Sequence, residues 1–171
     1  MLSDTIEEKL NQQSSKEFAA SNNYLAKASW CEVEGYEGAA KYFYAQSDEE
    51  RMHGLKLFHY INGLEGKAIA PKISQPPLEF DSFKALFEES LKQEQETTKS
   101  IHELVQFSLE EKDYGTYNFM HWYLDEQVEE ENKFRSILDK FKIIGDDRSG
   151  LYLLDKDLGA GAGVDDAPTQ E

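Results

Sequence analysis

The stretch Glu49-Glu50-Arg51-Met52-His53 decides the fold, because it sets Glu50 and His53 three residues apart in a strongly helical run. Residues at that spacing share one helix face. If the face turns inward, a carboxylate and an imidazole converge on one interior point, which is costly unless a cation sits there. Alone, the pair is indistinguishable from a solvated face of an acidic helix. Its surroundings decide. A helix following Gly38 and continuing to about Asn62 carries Phe43, Leu57 and Ile61 on one stripe, and Glu50 lies in the middle of it.

The same interruption recurs in three more predicted helices. Upstream, a helix starts near Ser3 or Asp4, where Asp4 and Glu7 have capping-box spacing, and runs to about Val33 before Gly35. Its stripe of Ile6, Leu10, Tyr24, Ala28 and Cys31 is broken by Glu17. Downstream, residues 66–81 hold Pro71, Pro76 and Pro77 and no helical periodicity, so they read as a connection. Extended, it reaches about 50 Å, whereas a 28-residue helix is only about 42 Å long. The connection is therefore able to cross the whole bundle and start the next helix parallel to the last. That third helix, capped at Asp81 or Ser82 and ending near Lys112, carries Phe83, Phe87, Leu91, Ile101 and Val105 with Glu94 among them. After the turn Asp113-Tyr114-Gly115, an antiparallel fourth helix reads Met120, Leu124, Phe134, Ile137 and Phe141 and stops before Gly145. Gln127 and Glu130 interrupt its centre. Gly150 to Leu158 reads as a short fifth helix, too apolar to float free and expected in a subunit contact. The fold class is thus all-α, a four-helix bundle with one long crossover and a short C-terminal helix, forming one domain over residues 1–158. Residues 159–171 are expected to be a disordered tail.

The interruptions repeat. Glu17 and Glu94, Glu50 and Gln127, and His53 and Glu130 are each separated by 77 positions, so the chain reads as two related helical hairpins. Glu50 and Glu94 lie equally far past the starts of two parallel helices, and the short turns bring Glu17 and Glu130 near that level. Four inward glutamates around one imidazole repel one another unless protonated or neutralised. With no Lys or Arg on these stripes, salt bridging is not expected to account for them, and two divalent cations carry the matching charge. Carboxylates plus one imidazole, without thiolate, suit iron, manganese or zinc.

Composition narrows the function further. The 34 Asp and Glu against 18 Lys and Arg give a net charge of -16, which repels nucleic-acid phosphates and anionic membranes and attracts cations. A single cysteine, Cys31, and a start without basic and apolar signal regions lead to an expected cytosolic location, with no membrane span.

Over residues 1–158 these residues resemble the ferritins, most closely the non-haem bacterial type. The resemblance rests on Glu17, Tyr24, Glu50-Arg51-Met52-His53, Glu94, Asp125-Glu126-Gln127-Val128-Glu129-Glu130, Gly150-Leu151-Tyr152 and Asp155-Lys156. Ferritin-like di-iron bundles are the standard instance of such a carboxylate layer. The resemblance implies a cage of twenty-four subunits that oxidises ferrous iron with dioxygen or peroxide and stores a ferric mineral. It implies a first iron at Glu17, Glu50 and His53 with Gln127 nearby, and a second at Glu94 and Glu130 bridged by Glu50. A third site would use Glu49, Glu126, Glu129 and Glu130, and Tyr24 would support a ligand or donate an electron. Arg51 stands where haem-binding relatives place methionine, so no haem is expected. Three rivals remain: a storage subunit without ferroxidase activity, a di-iron oxidase that forms no cage, and a metal-free helical interaction protein.

Overall fold

The computed structural model describes residues 2–161, in which five helices and no strand form. They are α1 (Asp4–Glu34), α2 (Glu37–Gly63), α3 (Phe83–Glu110), α4 (Tyr114–Ile144) and α5 (Arg148–Gly161). Side-chain caps set four of the starts: Ser3 accepts from the Ile6 N–H, Ser82 from Ala85, Asp113 from Thr116 and Asp147 from Gly150. α1 stops at Gly35, whose φ of 85° is left-handed and costs glycine little.

Contacts between helices fix their directions. Ser14 meets Gly54 while Ser21 meets Ser47, so α1 and α2 are antiparallel. Gln13 meets Ser100 while Lys27 meets Ser90, so α1 and α3 are antiparallel as well. Tyr60 with Thr116 and Glu49 with Lys133 show the same for α2 and α4. α2 and α3 are therefore parallel, as a full-length crossover requires. The crossover follows α1. Asn11 donates to the Lys67 carbonyl at 3.0 Å and accepts from the Ile69 N–H at 2.7 Å near one end, and Phe80 packs edge-on to Trp30 near the other.

Burial divides the interior into two apolar clusters. One contains Tyr24, Phe43, Phe87, Phe134 and Phe141, with Leu154 and Leu158 of α5. The other contains Ile6, Leu10, Leu57, Ile61, Ile101 and Met120. Between them lie the buried polar residues of the central layer.

α5 runs further than the sequence reading. It continues through Gly161, so 159–161 of the expected tail are helical, while 162–171 lie outside the described residues. Leu154 and Leu158 are buried within the chain, and Tyr152 and Leu153 remain exposed. The reason is a cap that acts across the sequence. Tyr36 gives α2 no side-chain cap, and the Asp155 carboxylate accepts instead from the N–H groups of Gly38 at 3.2 Å and Ala39 at 2.8 Å. Gly38 permits the approach, since a Cβ there would lie 1.7 Å from the Asp155 carbonyl oxygen. Asp155→Ala is expected to cost about 1–2 kcal/mol by loss of the cap, and Gly38→Ala about 1–3 kcal/mol by overpacking. Guanidinium denaturation midpoints measure both, and midpoints equal to wild type would show that α5 contributes nothing to stability.

Candidate metal centre

All six residues of the predicted layer are buried: Glu17, Glu50, His53, Glu94, Gln127 and Glu130 are each at most 5% exposed. Each helix delivers its carboxylate from a core stripe, so the same packing that buries the phenylalanines buries the charges. Glu17, Glu50 and His53 come closest together, with one ligand atom from each within 4.8 Å of the others, and His53 Nδ1 stands 3.5 Å from Glu50. A second group of the same compactness joins His53 to Glu49 and Glu126 on the outer side of the layer.

Glu94 and Glu130 belong to neither group. The Glu94 carboxylate accepts from the Tyr24 hydroxyl and, at 3.2 Å, from Gln127 Nε2, which also donates to the Glu94 carbonyl. Gln127 Nε2 therefore faces Glu94. Tyr24 is held for this contact by stacking between Phe43 and Phe134, each 5.9 Å away. Glu130 accepts from Lys133 at 2.8 Å. This overturns the expectation that no cation reaches the layer. Lys133 is three residues beyond Glu130 on α4, and its long flexible stem brings the ammonium back to Glu130, Glu49 and Glu129. Sequence reasoning missed it by searching the stripe positions alone; the i+3 spacing from Glu130 was the available signal. Gln13, which donates to Glu17 at 2.6 Å, was missed in the same way at i−4.

The electrostatics are those of a cation site. Burial raises the Glu17 and Glu50 carboxyls well above their ordinary range, and their mutual or neighbouring charges raise them further. Burial likewise raises Glu94, against the lowering effect of its Tyr24 and Gln127 hydrogen bonds. Glu130 is pushed up to about 8 by burial and the Glu49 charge, despite Lys133. The Lys133 ammonium is lowered by burial but raised on balance by Glu130 and Glu49. Two carboxylate oxygens, Oε2 of Glu50 and Oε2 of Glu130, are buried without a hydrogen-bond partner. Such orphaned acceptors are costly, and a divalent cation satisfies them directly.

Between the ordinary carboxylate value of 4.5 and about 8, the folded chain holds more protons than the unfolded chain. The metal-free fold therefore loses stability as pH rises through that window. Thermal melts of the metal-free protein should show Tm falling from about pH 5 to about pH 8, and a Tm that rises across the range would contradict the raised carboxyls.

The chain's likeness to known proteins is consistent across its length. The ferritin-like domain family matches residues 7–144. A bacterial non-heme ferritin of Staphylococcus aureus is 43% identical over 160 residues, which cover 94% of this chain and 96% of that protein. A probable bacterial non-heme ferritin-like protein of Haemophilus influenzae is 44% identical over 159 residues, covering 93% and 96% respectively. Among solved structures, an open pore ferritin from the archaeon Archaeoglobus fulgidus superposes with a TM-score of 0.91 at 38% identity, covering 93% of this chain and 98% of that one. Likeness of this degree spans the two hairpins, the crossover and the carboxylate layer together, and on that ground the chain belongs to the ferritin family.

Proposed function

We propose that the chain is an iron-storage subunit with ferroxidase activity, one of twenty-four in a cytosolic cage. The observation that carries this reading is the pair of orphaned, buried carboxylate oxygens on Glu50 and Glu130, in a layer that also holds Glu17, His53 and Glu94. Ferrous iron is the substrate. Glu17, Glu50 and His53 would take one ion, and Glu94 and Glu130 a second, with Glu50 between them. Gln127 orients Glu94 through its amide and so acts on the second position. Each iron gives up one electron, and the pair reduces dioxygen to peroxide or peroxide to water. The ferric product passes by Glu49, Glu126 and Glu129 toward the cavity and is stored as an oxyhydroxide mineral inside the cage.

The residue types suit turnover. Oxygen donors bind ferrous and ferric iron and release the product, whereas thiolates would retain it. Tyr24 stands within hydrogen-bonding reach of Glu94, where it steadies the ligand and is placed to supply a further electron. The described relatives are non-haem ferritins, which supports a site free of haem. Among the described residues no helix is long and apolar enough to cross a membrane.

Glu50→Ala and Glu50→Gln should slow the oxidation of added ferrous iron by more than about 100-fold, the upper end of what losing even an outer partner of a ligand costs. Stopped-flow absorbance reads the rate, and variants as fast as wild type would defeat the assignment of Glu50. Gel filtration tests storage separately, since a cage elutes far ahead of a dimer. Elution of the wild type as a monomer or dimer would leave an oxidase without a cage.

A further inference from the structure

We propose that Lys133 is a tethered cation that occupies the outer carboxylate cluster and so limits how many metal ions the chain binds. The inference rests on reading the central layer as a metal centre. It shares Glu130 with that reading, while its other two contacts, Glu49 and Glu129, lie outside the six-residue layer. The Lys133 ammonium lies 2.8 Å from Glu130, 3.2 Å from Glu49 and 3.6 Å from Glu129. An ammonium has three donors and no acceptor, so it meets three carboxylates as a small cation does. The contacts differ in weight. Glu129 is mostly exposed and its pairing is screened, whereas Glu130 is 1% exposed and Glu49 is partly sheltered.

Two consequences follow for metal binding. The stem of Lys133 holds its charge beside Glu130 at a high effective concentration, so an incoming ion must displace a neighbour that never diffuses away. Glu130 also has two unlike oxygens: its Oε1 accepts from Lys133, while its Oε2 is buried without a hydrogen-bond partner. Lys133 thereby satisfies one oxygen of Glu130 and leaves the other for metal. The outer cluster of Glu49, Glu129 and Glu130 is filled by the protein itself, and the inner layer keeps its capacity.

Anaerobic calorimetric titration of ferrous iron into the full-length, metal-free protein tests this without oxidation. Lys133→Met should bind one ion more per chain than wild type, and Lys133→Arg, which keeps the charge, should match wild type. A Lys133→Met capacity equal to wild type would overturn the proposal, as would an extra ion in Lys133→Arg. Should Lys133→Met fold poorly by circular dichroism, Lys133→Gln removes the charge with a polar side chain and is read the same way. Glu50→Ala is run alongside. If it binds as many ions as wild type, the metal-centre reading itself fails; if it loses ions while Lys133→Met gains none, only the role of Lys133 fails.

Discussion

Everything in this molecule is arranged around the cost of keeping carboxylates dry. Glu17, Glu50, Glu94 and Glu130 are almost completely inaccessible, and removing even one such ion from water costs several kcal/mol after relaxation. A layer of this kind does not drive folding. The driving force comes from the two apolar clusters on either side of it, whose aromatic and aliphatic side chains clamp the helices together and bury the glutamates between them. The aromatic cluster also bounds the site: Phe43 and Phe134 hold Tyr24 in place, and through it Glu94.

Within the layer the protein compensates its acids unequally. Gln13 supports Glu17, Tyr24 and Gln127 support Glu94, and Lys133 supports Glu130. Glu50 has one oxygen without a hydrogen-bond partner, with His53 Nδ1 3.5 Å from it. The residue with least help from the protein is the one shared between the two proposed iron positions, as expected if its partners are the ions themselves.

The four-helix bundle, its crossover and the burial of the layer were legible in the sequence because each rests on periodicity or on a length. Glu17, Glu50, Glu94 and Glu130 interrupt otherwise apolar stripes, and a 77-residue repeat relates Glu17 to Glu94, Glu50 to Gln127 and His53 to Glu130. What was not legible depends on side-chain torsions or on contacts distant in sequence. Gln127 sits on the stripe as expected, but its amide turns to Glu94. Lys133 lies off the stripe, and only its flexible stem brings the charge inward. Asp155 caps α2 from 116 positions away, a partnership that no local pattern encodes. α5 ran past Leu158 because the glycines and alanines that read as a breaker are tolerated where a helix docks closely, as Gly159 does against Gly38.

The height of the layer along the helices has one more effect. Glu17, Glu50, Glu94 and Glu130 each lie about three or more turns from both ends of their helices. Helix macrodipoles act over only the first and last turn, and two helices here run each way, so their fields also largely cancel at mid-height. Many anion sites in proteins draw on backbone N–H groups at a helix start; this layer has none within reach. The backbone is electrostatically silent there. Charge balance in the layer is therefore left to protons, Lys133 and arriving cations, three populations that exchange with solvent or swing on a tether, which suits a site whose occupant has to leave.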